Sequence, residues 1–193
     1  MSPVTQIELA IVEQLRAVQR PYTGLCVESY AAQLDDELFA WVRTVPAVWV
    51  TFGQAQDVKR TGARSFLVSG TFEVLSAQRA LDENDRRLKP GTAGDSVGVY
   101  QIVEDNKLAL VNQTLGLEIQ PLTPGAIRPV MKSMVNRDAI AVYSQEFRTQ
   151  WMEIYPDPEM TPGGTLVTVG LNYLLKPGDE TVDSSDTLTT RTT

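Results

Sequence analysis

Residues 65–78 read SFLVSGTFEVLSAQ, and their alternation decides the fold. Phe66, Val68, Phe72 and Val74 fall on one parity, and Leu67, Ser69, Thr71, Glu73 and Leu75 on the other. A period of two over a run this long is that of a β-strand, whose successive side chains point to opposite faces. One face is apolar and the other half polar, so the strand is expected near a sheet edge or lining a surface. Gly70 interrupts the middle and marks either a bulge or a close backbone approach.

The reading extends outward from this strand. Upstream, Ala47-Val48-Trp49-Val50-Thr51-Phe52 is apolar at both parities, as for a strand covered on each side. A polar loop, Gly53–Arg64, joins the two. At the start of the chain, Val4, Ile7, Ile11, Leu15 and Val18 recur at three- and four-residue steps and predict an amphipathic helix, stopped by Arg20-Pro21. Its start carries Pro3 and a capping pair, Thr5 with Glu8. A short β-like piece at Leu25–Ser29 follows. Asp35-Asp36-Glu37 then opens a second helix whose apolar face uses Leu38, Phe39, Val42 and Val45; three acids there complement the positive end of the helix dipole.

Downstream, 79–94 shifts sharply to charge and ends in Gly and Pro, which reads as a solvated loop. Asp82 and Asn84 lack the turn glycine and distal glutamate of a calcium loop, because Arg87 and Ala93 stand in those places. The pattern from Asp95 or Ser96 to Asn112 is helical, with Gly116 as its stop. Pro121, Pro124 and Gly125 make a stiff connection. Two strands, 127–135 and 139–154, then meet through Asn136-Arg137-Asp138 as a β-hairpin. In the second strand Ala141, Tyr143, Phe147 and Trp151 share one parity, and Val142, Ser144, Glu146 and Arg148 the other. So long a strand either runs beyond the sheet or bends within one core. A linker rich in Pro and Gly follows Tyr155, and 165–175 can form one more strand. Lys176–Thr193 has little to bury and is expected to be disordered. The fold class is therefore α+β: a mixed, largely antiparallel sheet with helices packed on it. The domains are a globular part at 1–155, an extension at 156–175 and a tail at 176–193.

The composition excludes much chemistry. Among 193 residues there is no His and one Cys. Histidine-based nucleophiles and His metal sites are thus ruled out, as are disulfides within the chain and multi-Cys zinc or iron–sulfur centres. A net charge of −7 argues against a nucleic-acid binder, whose affinity comes from Lys and Arg. No run of about 18 apolar residues predicts a membrane span. MSPVTQIELAIVEQL lacks the basic and unbroken apolar regions of a secretory leader, so a reducing cytoplasm is expected, and Cys26 reads as a small core residue. No serine sits in a GxSxG elbow and no pair of acids is singled out by spacing. No catalytic residue, cofactor or metal is expected.

The order TQIELAIVEQL, PAVWVTFG, VGVYQIVEDNKLAL, LGLEIQPLTPGAIRP and AVYSQEFRTQW resembles a tail-morphogenesis family of Mu-like bacteriophages and prophages, over residues 5–155. The resemblance implies a tail terminator in the virion neck, assembled in the bacterial host cytoplasm. Such a protein is a small α/β chain that caps the finished tail tube as a ring, usually sixfold. Its implied partners are further copies of itself in a hexamer, the tail tube protein and the head–tail connector protein, with DNA passing through the lumen without specific binding. The alternative in the same setting is a head–tail connector or completion protein. A carboxylate-based hydrolase and a non-viral adaptor are more remote. A ring protein needs docking faces, and projecting loops and strands supply them. The candidate interface residues are therefore Arg79, Asp82, Glu83, Arg86 and Arg87 in the charged loop, with Arg128, Lys132, Arg137, Tyr143 and Phe147 on the hairpin. Arg128, Lys132 and Arg137 together offer either a solvated strand face or a positive patch for acidic partners.

Overall fold

A computed structural model describes residues 1–30, 46–79, 87–91, 97–135, 138–156, 168–173 and 184–189. The chain falls into two compact units, Met1–Ile154 and Tyr155–Thr193. The first holds a five-stranded sheet in the order β1-β2-β3-β5-β4, built from β1 (Cys26–Ser29), β2 (Ala47–Arg60), β3 (Ser65–Arg79), β4 (Thr123–Val135) and β5 (Asp138–Ile154). The β1–β2 pair is parallel and the others are antiparallel, so the sheet is mixed and largely antiparallel, as the patterning predicts.

Helix α1 (Pro3–Ala17) forms where the three–four repeat falls, and buries Ile7, Ile11, Val12 and Leu15. Its cap is Ser2, whose hydroxyl accepts from the Thr5 backbone N–H, rather than Thr5 itself. Pro3 occupies the first turn, where a missing N–H costs nothing. Helix α2 (Val99–Leu110) is shorter than its apolar pattern and buries Val99, Ile102, Val103, Ala109 and Leu110. Both helices pack on one sheet face against Val48, Val50, Val68, Phe72, Val74, Phe147 and Trp151. A smaller cluster on the opposite face joins Ala47, Trp49, Leu75, Ala77, Ile140 and Val142. Trp49 is 1% exposed, so the strand it sits on is covered on both sides at this end.

Several expectations are corrected. The polar stretch 53–60 is not loop: β2 runs on through it to Arg60. The true turn is 61–64, where the Thr61 and Gly62 amides donate to the Ser65 carbonyl. Of its two expected places strand β3 takes the second: it lies at the centre of the sheet and lines a polar surface with Ser69, Thr71 and Glu73. Strand β5 pairs with β3 from Ile140 to Ile154 without a register shift, so its length is used inside the sheet. The irregularities sit instead on the flanking strands, between Phe52 and Gln54, Gln56 and Lys59, Pro124 and Ile127, and Pro129 and Met131. Pro124 and Gly125 therefore belong to β4, not to a connection; prolines suit this outer strand, whose far side needs no ladder.

In the second unit β6 (Thr168–Tyr173) pairs antiparallel with β7 (Ser184–Thr189). The first strand falls where one is expected, but the second forms inside the stretch expected to be disordered. The acidic helix start at Asp35-Asp36-Glu37 lies outside the described residues.

Candidate functional site

The sheet face turned away from the helices changes character along its length. Beyond the Trp49 cluster it is polar, because odd positions of β3 and even positions of β5 carry Ser69, Thr71, Glu73, Ser144, Glu146, Arg148 and Gln150. The Ser144 hydroxyl donates to Glu73 Oε2 at 2.8 Å, and Gln150 Nε2 to the Ser69 hydroxyl at 2.9 Å. Glu146 sits between two guanidinium groups: Arg128 Nη2 on Oε1 at 2.5 Å and Arg148 Nη2 on Oε2 at 2.9 Å. Its side chain is 12% exposed while the two arginines are 69% and 61% exposed, so the carboxylate is seated and the cations reach into solvent. The hydrogen bond from Arg148 holds its carboxyl below the usual carboxylate range, with the Arg128 charge adding to this and partial burial opposing it.

A glycine on each face of the sheet allows a close approach. A Cβ on Gly125 would lie 2.7 Å from Glu146 Cβ, so β4 can bulge over the carboxylate only without a side chain there. A Cβ on Gly70 would meet the Trp151 ring at 2.4 Å. Gly70 therefore marks a close approach, one of its two expected roles. Next to these residues a groove of about 630 Å³ crosses the sheet between Gln56 and Asp57 on β2, Thr71 on β3, Arg148 and Gln150 on β5, and Gln120. The lining is polar, and it holds one carboxylate, Asp57, with no second acid to share a proton or a metal. Among the described residues no group of three His, Cys, Asp or Glu side chains converges to hold a metal ion.

Among the described residues, the sequence-derived interface residues do not form one patch. Arg79 ends β3, exposed, and pairs in register with Ile140. Arg87 places its guanidinium over the Tyr100 ring, 5.8 Å from the centroid. Arg128 joins Glu146 as above. Lys132 follows on β4 opposite Ala141, roughly four residues or about 13 Å along the strand. Asp82, Glu83, Arg86 and Arg137 lie outside the described residues. Tyr143 and Phe147 are corrected: Phe147 is fully buried in the main core and Tyr143 is buried beside Val99, Val103 and Ala141. The physical reason is their parity with Trp151, which turns them toward the helices. The Tyr143 hydroxyl meets that of Tyr100 at 3.1 Å, with the rings edge-to-face.

Two features escaped the sequence reading. The Glu146–Arg128–Arg148 cluster joins residues 18 apart in sequence through the hairpin register, and the only signal was the polar parity of β5. The projecting half of β2 showed no apolar alternation because it is exposed on both faces.

Fold and surface together define a small α+β protein with a polar, hydrogen-bonded sheet face. The family model for bacteriophage Mu Gp37 matches residues 3–152, nearly the whole first unit. The chain belongs to that family, and it is a structural or morphogenesis protein of the Mu-like phages. No curated protein matches it.

Proposed function

We propose that the chain is a phage tail terminator, which closes the tail tube as a ring, sixfold by the family resemblance, and joins it to the head–tail connector in the neck. The observation that carries this reading is the family match over residues 3–152, which covers every element of the first unit and β5 as far as Met152. The surface agrees with it. A capping ring works through faces that bind further copies, tube protein and connector, and the polar sheet face and exposed strand ends are of that kind. On that face the Glu146 carboxyl is displaced downward. A general acid at neutral pH needs the opposite displacement.

The net charge of −7 fits a conduit through which DNA slides, since phosphate contacts would hold it back. Assembled protein is expected to let duplex DNA pass over it without retention at low salt; tight retention would contradict this. The capping role itself is tested by adding the purified chain to polymerising tail tube protein. Tubes are expected to shorten, with the chain found at one end of each in the electron microscope. Unchanged tube lengths and no end-bound density would overturn the reading.

A further inference from the structure

The groove on the polar sheet face carries opposite charges at its ends, Asp57 on β2 and Arg148 on β5. Two strand spacings, about 10 Å, separate those strands, and the two residues are further offset along them. Between them the lining is amide and hydroxyl, from Gln56, Ser69, Thr71 and Gln150. Among the described residues the only hydrocarbon side chain on it is that of Pro121. A lining of this kind selects a ligand by hydrogen bonds and charge, not by apolar burial.

Each end is set by an irregularity of the sheet. Asp57 takes a φ of 51°, in the left-handed region that few residues other than glycine adopt, within the register shift between Gln56 and Lys59. A bulge of this sort re-aims a side chain out of the ladder. Among the described residues none pairs with the Asp57 carboxylate. At the other end Arg148 is held by a hydrogen bond from Nη2 to Glu146 Oε2 at 2.9 Å, and Glu146 is seated under the β4 bulge at Gly125. A guanidinium has five N–H groups, so most of its donors stay available. Thr71 is the direct register partner of Arg148 and lines the groove beside it. It is only 8% exposed, yet among the described residues none pairs with its hydroxyl. A hydroxyl buried without a partner is costly, and a ligand that accepts from it relieves that cost. The charges nearest this end, Arg128 and Arg148 against Glu73 and Glu146, cancel, so a plain anion gains little from net charge. A ligand that carries both signs matches the groove end to end.

We propose that this groove binds a short zwitterionic peptide, its carboxylate on Arg148 and the Thr71 hydroxyl, its ammonium group on Asp57, and its peptide groups on the side-chain amides of Gln56 and Gln150. An extended peptide advances about 3.3–3.6 Å per residue, so three or four residues span the two ends. The site goes beyond the capping role and does not rest on it.

The test uses the full chain, with tetraglycine as the probe. It is titrated at constant ionic strength and followed by NMR of the backbone amides and the arginine Nε–H groups. Saturable shifts are expected at Thr71, Gln150 and the Arg148 Nε–H. N-acetyl-tetraglycine, which lacks the ammonium group, and tetraglycine amide, which lacks the carboxylate, are each expected to bind about fivefold more weakly. Arg148→Met should erase the preference for the free carboxylate. Asp57→Asn keeps a residue that tolerates the left-handed region and should erase the preference for the free amine. Thr71→Val is expected to weaken tetraglycine binding about tenfold while the unfolding midpoint stays the same or rises, because no bond within the chain is lost. A Thr71→Val chain that unfolds more easily has lost a bond of its own, and that result overturns the proposal. So do equal binding of the free and blocked peptides, and a groove that gives no saturable shift because the chain's own residues fill it.

Discussion

Gly70 shows how one missing side chain makes room in the core. It lies in the central strand directly under Trp151, which is 3% exposed and further fixed by its indole N–H on Glu153 Oε1 at 2.9 Å. Gly70→Ala places a methyl group inside the ring's contact distance, and the packed ring has little room to yield. A loss of about 1–3 kcal/mol is expected on denaturant unfolding, with an altered near-ultraviolet signal from Trp151. Wild-type stability in this variant would mean that the ring does not sit where described. At the same scale, Phe147 and Tyr143 show where parity should have prevailed. They share it with Trp151 and Ala141, and all four are buried. The grouping was legible in the sequence, but the side that each group faced was not, since both parities carry aromatic or apolar residues.

Among the elements, those with a one-sided apolar pattern were readable. Helix α1 and strand β3 fall within a residue or two of their expected bounds, because burial of one face writes a period into the sequence. The outer half of β2 is written in no such code. Gly53, Gln54 and Asp57 favour a loop locally, and Asp57 does take a positive φ of 51°, but pairing with β3 keeps the segment extended. The hairpin β4–β5 was visible from its turn, while its bulges, and with them the seat of Glu146, depend on register. That seat has a pH signature. The carboxyl is held below its ordinary value of 4.5, so its contribution to stability is present above that pH and fades as the pH falls through the lowered value. Glu146→Gln is expected to cost about 1 kcal/mol or less at pH 7, since both cations are largely solvated. It should also flatten the loss of stability below pH 4.5. An unchanged acid limb of the stability profile would show that the cluster carries none of it.

At the scale of the whole molecule, composition removed histidine chemistry and clustered cysteine chemistry, and family membership supplied the phage setting. What composition hid is the uneven distribution of charge: residues 53–64 carry a net +2 and the C-terminal 39 residues a net −4, within a chain that is acidic overall. The central claim, that this protein ends tail growth, is tested most directly in virions. A stop codon is placed in its gene, and tail lengths are counted by electron microscopy. Headless tails that are overlong or widely variable are the predicted result. Tails of uniform normal length beside filled, unattached heads would contradict it and make the protein a joining component.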